Sequence, residues 1–135
     1  MAVTAAMTLS SATCKTGESV TATLTLTNGN AEAVEVVEIR PRANPTGTIV
    51  PAPVLLGQPT LPAGSATVAA SGTLAVSWGV TPLAPQKRGY SAAMVTAGIP
   101  GLDTVEQVFD IGADWKVSDG TTALETTTTL TVSTP

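Results

Sequence analysis

The stretch Ser19–Thr27, which reads Ser-Val-Thr-Ala-Thr-Leu-Thr-Leu-Thr, decides the fold class. Apolar residues and threonines alternate one by one, so every second side chain projects to the same side of an extended chain. Threonine is β-branched and suits the exposed surface of a pleated sheet. The stretch therefore predicts a strand that is buried on one face only, and its buried face consists of Val20, Ala22, Leu24 and Leu26.

Three further stretches show strand character and none shows a sustained helical period. Val3–Leu9 is a weaker first strand, and Val34–Ile39 follows the turn at Asn28-Gly29-Asn30. The apolar neighbours Val37 and Ile39 break the alternation of that strand and predict a bulge or burial on both faces. The stretch Thr73–Val80 alternates again, and the residues expected to face the core are Leu74, Val76, Trp78 and Val80.

The last thirty residues predict a hairpin around Asp119-Gly120, a dipeptide typical of the two-residue type I′ turn. With that turn, the pairs expected to lie opposite each other are Val117 and Thr122, Trp115 and Leu124, Ala113 and Thr126, and Phe109 and Leu130. The faces expected to point inward are Phe109, Ile111, Ala113, Trp115 and Val117 on one strand, and Leu124, Thr126, Thr128, Leu130 and Val132 on the other.

Two long stretches do not alternate. Pro41–Gly64 is rich in proline, which cannot donate a ladder hydrogen bond, so it predicts an extended excursion with at most an edge strand. Thr81–Asp103 is a second excursion, with a short strand over Tyr90–Thr96. Long loops inside compact domains usually serve binding.

Composition excludes several function classes. A chain of 135 residues fits one domain, 1–135, with its own core. It contains no His and one Cys, which removes His-based catalytic dyads, His metal sites and disulfide frameworks. A net charge of -4 argues against nucleic acid, and no apolar run is long enough to cross a membrane. We expect no enzymatic activity, cofactor or metal, and a reduced, structural thiol at Cys14.

Two segments resemble the immunoglobulin-like domains of bacterial and viral proteins. Thr16–Asn28 resembles their opening strand, in which a Gly-Glu-Ser turn leads a Thr-rich strand that ends at an Asn. Leu61–Ser65, running to Leu74–Trp78, is similar to their middle strand pair. The disulfide of the antibody type is absent because Cys14 has no partner. The resemblance implies an all-β fold, an immunoglobulin-like antiparallel β-sandwich of roughly seven or eight strands.

The candidate contact residues lie in the two excursions. In the first, apolar side chains among prolines have no clear strand face to bury them, so they form either a loop folded over the sandwich or an exposed docking arm. In the second, the only adjacent basic pair lies beside the only Tyr, a combination enriched at binding centres. The candidate partner-binding residues are Ile49, Val50, Val54, Leu55, Leu56, Lys87, Arg88 and Tyr90.

One pair of carboxylates raises the question of a cation. The type I′ register places Asp114 opposite Glu125, and like charges in that position destabilise a sheet. A bound Ca²⁺ relieves such repulsion, although no dedicated calcium loop is present. The alternative is a solvated outer face in which both carboxylates contact water.

These features favour a structural contact protein. We expect a virion protein, in particular a capsid decoration or accessory protein of a tailed bacteriophage, made in the host cytoplasm without a signal peptide and located on the capsid surface. Its expected partners are the major capsid protein, other virion proteins and further copies of itself, with avidity across many copies. The alternative is a binding or adhesion module of a bacterial surface protein that recognises carbohydrate or protein through its loops.

Overall fold

The computed structural model describes residues 3–15, 17–46, 54–59, 66–82 and 106–133. Nine strands occupy these ranges: β1 (Val3–Leu9), β2 (Thr13–Lys15), β3 (Val20–Asn28), β4 (Val34–Thr46), β5 (Val54–Leu56), β6 (Thr67–Val68), β7 (Thr73–Pro82), β8 (Glu106–Val117) and β9 (Thr122–Ser133). The expected all-β class is confirmed.

The strands form two sheets that pack as a sandwich. Sheet A has the order β1-β3-β7-β5, and sheet B has the order β2-β9-β8-β4-β6. All neighbours are antiparallel except β2 and β9, which run parallel. Within the described ranges there is no helix long and apolar enough to cross a membrane.

The core lies between the sheets and is built by the alternation that the sequence predicts. On β3, the even-numbered side chains from Val20 to Leu26 are almost completely buried. On β7, the residues from Leu74 to Val80 with the same parity are buried as well. The two Trp side chains, Trp78 from sheet A and Trp115 from sheet B, are 3% and 2% exposed. Burial of these rings contributes the largest apolar areas to the core.

The chain changes sheets near its start. β1 pairs with β3 in sheet A, and after the short connection through Ser10–Ala12, β2 pairs with β9 in sheet B. Two backbone hydrogen bonds fasten this crossing, from Ser10 N to Thr21 O at 2.9 Å and from Thr131 N to Ala12 O at 3.0 Å. One side of the sandwich is therefore closed by covalent continuity between the sheets.

Strand β4 is longer than the predicted Val34–Ile39 stretch and continues through Pro41 and Pro45. Proline fits because β6 pairs only with Val34 and Glu35, which leaves the rest of β4 with β8 on one side and no described strand on the other. An edge strand tolerates residues without a donor. The predicted bulge is present between Val36 and Glu38, and it turns Val37 outward to 60% exposure.

The β8–β9 hairpin corrects the predicted register near its turn. The loop has three residues, Ser118–Gly120, closed by hydrogen bonds from Val117 N to Thr121 O at 3.1 Å and from Gly120 N to Val117 O at 3.0 Å. Gly120 has a φ of 92°, whereas Asp119 is not among the described residues with positive φ, so the type I′ turn is wrong.

The extra loop residue shifts the pairing by one position. Trp115 lies opposite Ala123 instead of Leu124, and Leu124 points outward with 54% exposure. A second irregularity between Asp110 and Gly112 restores the predicted register, so Phe109 lies opposite Leu130 as expected. Likewise Ala113 lies opposite Glu125 instead of Thr126, and Val117 no longer pairs with Thr122.

Candidate functional site

The described candidate contact residues form the edge strand of sheet A. Val54, Leu55 and Leu56 pair with Pro82, Thr81 and Val80 at the end of β7. Val54 and Leu56 are half-buried and pack against the core, while Leu55 points outward and is 58% exposed. Among the described candidate contact residues, Leu55 is therefore the one whose side chain is exposed to a partner. The predictions for Ile49, Val50, Lys87, Arg88 and Tyr90 concern positions outside the described residues.

The chain leaves β5 by a close backbone passage. Gly57 N donates to Gly79 O at 2.8 Å, and a Cβ added to Gly57 would lie 3.1 Å from Gly79 N. Glycine at position 57 therefore lets the two backbones approach. Pro59 then lines a shallow groove of about 200 Å³ beside the β4 bulge, with Val37 and Ile39. Glu38 also lines this groove, and beside it Val36 N donates to Ala66 O at 2.7 Å.

A larger cleft of about 470 Å³ lies at one end of the sandwich, between the β3–β4 loop and the β8–β9 loop. Asn30 Nδ2 donates to Asp119 Oδ2 at 2.8 Å across it, and Thr121 N donates to Asp119 Oδ1 at 2.7 Å. Hydrogen bonds from Thr121, and then from Asn30, hold the pKa of Asp119 below its ordinary value. Because both carboxylate oxygens already accept hydrogen bonds, Asp119 joins the two loops together.

The expected repulsion between Asp114 and Glu125 does not occur. The shifted register places Leu124 opposite Asp114 and Ala113 opposite Glu125. Asp114 instead forms an ion pair with Arg42 on the neighbouring strand. The physical reason for adding a cation is therefore gone. Within the described ranges, no three His, Cys, Asp or Glu side chains come together as a metal site.

Cys14 is a poor candidate for nucleophilic chemistry. Burial raises the pKa of its thiol, and the nearby Glu18 carboxylate raises it further. A raised thiol pKa lowers the fraction of the reactive thiolate. The chain contains no His to act as a base. The geometry around Cys14 is that of a half-buried structural residue packed against the core.

Charge is segregated between the two sheets. Within their described ranges, β1, β3, β5 and β7 contain no Asp, Glu, Lys or Arg, whereas every long strand of sheet B contains at least one. Two ion pairs lie on sheet B, Arg40 with Glu38 and Arg42 with Asp114. Solvated sheet faces usually mix both signs of charge, so an uncharged face is unusual.

We call the outward side of sheet A the hydroxyl face, because most of its side chains are Thr or Ser. The register aligns them in rows across the strands, such as Ala6–Thr25–Ala75 and Thr8–Thr23–Ser77. Thr23 Oγ1 and Ser77 Oγ share a hydrogen bond of 3.0 Å, and Ser19 Oγ and Thr81 Oγ1 share one of 2.5 Å at the rim. The face consists of Thr4, Ala6, Thr8, Thr21, Thr23, Thr25, Thr27, Leu55, Thr73, Ala75, Ser77, Gly79 and Thr81.

The hydroxyl face is the feature that sequence reasoning missed. The Thr-rich alternation by itself predicts only the solvated side of each strand. The absence of charge becomes apparent once β1, β3, β5 and β7 are known to be neighbours, because each strand by itself is too short for the absence to be notable. Leu55 lies at one edge of this face, opposite Thr81.

No protein-family model matches the chain, and no curated protein sequence matches it either. Among solved structures, the chain is similar to a cohesin module from a family 33 glycoside hydrolase of Clostridium perfringens. The identity is 12% and the TM-score is 0.38, with 99% of this chain and 100% of that chain covered. So distant a likeness assigns neither a family nor a function.

Proposed function

We propose that this chain is a non-catalytic protein-interaction module that docks through its hydroxyl face. The observation that carries the proposal is the complete absence of charge from the described strands of sheet A. Charged residues are depleted in the cores of protein interfaces, because a buried charge loses its hydration. A face of small hydroxyl and methyl side chains is desolvated at much lower cost, and Leu55 adds an apolar anchor at its edge.

The finer role that we propose is that of a structural protein on a virus particle, a capsid decoration protein of a bacteriophage. The size of the face supports a repeated arrangement. Strands about 4.8 Å apart, with about 3.3 Å per residue, give a flat area on the order of 500 Å² for sheet A. Specific interfaces usually bury about 800 Å² per partner, so a single contact of this kind is weak. Many copies on one lattice compensate through avidity.

The test is co-sedimentation of the purified chain with virus particles from the same source, with two Thr→Lys variants. Thr25 lies in the middle of the hydroxyl face between Ala6 and Ala75, so Thr25→Lys places a charge at its centre. Thr129→Lys is the matched control, because Thr129 is exposed on β9 opposite Asp110, on the charged sheet.

We expect the wild type and Thr129→Lys to sediment with the particles, and Thr25→Lys to lose at least about tenfold in affinity. If the wild type does not associate with particles, the virion role is wrong. If Thr25→Lys associates as strongly as the wild type, the virion role stands but the hydroxyl face is not the docking surface. Circular dichroism of both variants checks that the sandwich is intact.

A second candidate is a binding module of a bacterial surface protein that recognises carbohydrate or protein through its loops. The cleft between the β3–β4 and β8–β9 loops favours it, because polar groups of Asn30, Ser118 and Asp119 line its walls. A glycan-array or cell-binding signal that disappears in Asn30→Ala, but not in Thr25→Lys, would support this function over the first. Loss in Thr25→Lys alone would exclude the cleft as the site.

A further inference from the structure

The end of strand β3 holds an unusual side chain. Asn28 is 1% exposed and is the one buried polar residue among those that the structure describes. It is the last residue of β3 and is followed directly by Gly29, which is exposed. A buried amide needs partners for its donors and its acceptor, since an unpaired polar group in a core is costly.

The Asn28 side chain ties three segments together. Its Nδ2 lies 2.9 Å from Glu32 O in the β3–β4 loop, 3.1 Å from Val68 O and 3.2 Å from Ala69 O. Its Oδ1 accepts a hydrogen bond from Asn30 N at 2.9 Å. Because β6 belongs to sheet B and β3 to sheet A, this one amide links the two sheets at this end of the sandwich.

We propose that Asn28 is a deamidation site that the fold keeps closed, and that its modification prevents the chain from returning to the native state. Glycine after an asparagine favours this reaction, because it has no Cβ to hinder the approach of its backbone nitrogen to the side-chain carbonyl. The reaction requires only water.

The reaction balances as follows. The backbone nitrogen of Gly29 attacks Cγ of Asn28, a C–N bond forms, and the proton from the Gly29 nitrogen passes to the departing side-chain amide, which leaves as ammonia. The resulting five-membered succinimide is opened by water at either carbonyl. The products are an aspartate or an isoaspartate at position 28, and the sum is amide plus water to carboxylic acid plus ammonia.

The folded structure opposes the first step. The leaving nitrogen is held against backbone carbonyls of Glu32, Val68 and Ala69, and the buried amide is shielded from water. The reaction therefore proceeds through molecules in which this end of the sandwich has opened, at a rate reduced by the small population of the open state.

The product does not fit the native site. A carboxylate at position 28 would keep the hydrogen bond from Asn30 N, but its second oxygen would face three carbonyl oxygens without a donor, and a buried charge in such a place is strongly destabilising. An isoaspartate also lengthens the backbone at the last pair of β3, where Val3 lies opposite Asn28. An opened molecule can return to the native state only until the Asn28 amide is lost. The deamidated fraction therefore increases with the time that the chain spends in the open state.

The test is incubation of the chain at mildly alkaline pH in buffer and in urea, followed by peptide mass spectrometry. The chain has three Asn, which supply internal controls: Asn30 precedes Ala31, and Asn44 precedes Pro45, which has no backbone N–H to form the succinimide. In urea we expect Asn28 to deamidate first, and in buffer at least ~100-fold more slowly. Equal deamidation rates of Asn28 in buffer and in urea would overturn the proposal that the fold protects this residue.

A second measurement covers the consequence for refolding. After long incubation in urea, we expect the refolded fraction of the wild type to fall in step with deamidation, while Gly29→Ala keeps its refolding yield. The described glycines with positive φ are Gly17 and Gly120, so alanine at position 29 meets no left-handed strain. Full refolding of deamidated wild type, or an Asn28→Asp variant as stable as the wild type, would refute the proposal.

Discussion

Substitution of Gly120 by Ala tests the three-residue hairpin loop directly. Gly120 has a φ of 92°, and an added Cβ meets no atom within 4 Å, so the cost comes from backbone conformation alone. A residue with a Cβ loses about 1–2 kcal/mol in the left-handed region. The lower entropy of the unfolded alanine chain offsets part of this, so we expect a net destabilisation of about 1 kcal/mol.

Gly79→Ala is the matched control. Gly79 lies within β7, an added Cβ there also meets nothing within 4 Å, and its φ is not positive. The same entropy effect then acts without strain, and we expect a stabilisation of about 0.5 kcal/mol. In urea unfolding with an m-value of about 1.5 kcal/mol/M, the midpoints of the two variants should differ by about 1 M.

The result that refutes the reasoning is a Gly120→Ala variant as stable as Gly79→Ala. In that case Gly120 does not need positive φ, and the loop is not the one described. Asp119→Gly separates the two turn types further. A type I′ turn requires positive φ at Asp119 and would accept glycine there, whereas the observed loop uses the Asp119 carboxylate to bind Thr121 N and would be weakened.

Three further predictions concern single side chains. The hydrogen bonds that lower the pKa of Asp119 stabilise the fold at pH values above the ordinary pKa of 3.8. This stabilisation is lost as the pH falls through the lower pKa of the folded state, so the melting temperatures of the wild type and Asp119→Ala should converge in acid. The raised pKa of Cys14 predicts slower alkylation by iodoacetamide than in the unfolded chain at the same pH, and Glu18→Gln should accelerate it; equal rates would contradict the burial. Leu24→Ala should cost about 3–4 kcal/mol in urea unfolding because Leu24 is fully buried, while Thr25→Ala should stay within about 0.5 kcal/mol.

The strands of sheet A could be predicted from sequence because their pattern is local. The alternation in Ser19–Thr27 and Thr73–Val80 indicates which side of each strand is apolar, and in both strands the residues on that side are buried in the structure. The bulge at Val37 was also predictable, because Val36 and Ile39 are three positions apart and can both pack against the core only if the strand gains an extra residue between them.

The hairpin register was only partly predictable. Asp-Gly fits a two-residue loop and a three-residue loop, and the choice depends on the φ of Asp119, which the dipeptide does not determine. The contacts of the rest of the sheet decide it: Ser118 N donates to Glu35 O at 2.8 Å, and Ser118 Oγ accepts from Glu35 N at 2.9 Å. These bonds join the loop to β4 and favour the longer turn.

Features that depend on sheet membership were beyond sequence reasoning. The prolines of Pro41–Gly64 predict at most an edge strand, and β4 extends over Pro41 and Pro45, where no described strand pairs with its second side. The Asn-Gly-Asn pattern predicts a turn at Asn28, whereas the burial of its side chain depends on carbonyls some forty residues away along the chain. The hydroxyl face likewise exists only when four separate strands become neighbours.

The parallel pairing of β2 with β9 has a mechanical consequence. Val3 lies opposite Asn28 at one end of the sandwich, and Lys15 lies opposite Ser133 at the other. Tension between Val3 and Ser133 therefore acts along the strands and loads the β2–β9 hydrogen bonds together, instead of opening them one after another like a zipper. A molecule that is anchored at one end and pulled at the other therefore resists extension until the three residue pairs between β2 and β9 separate.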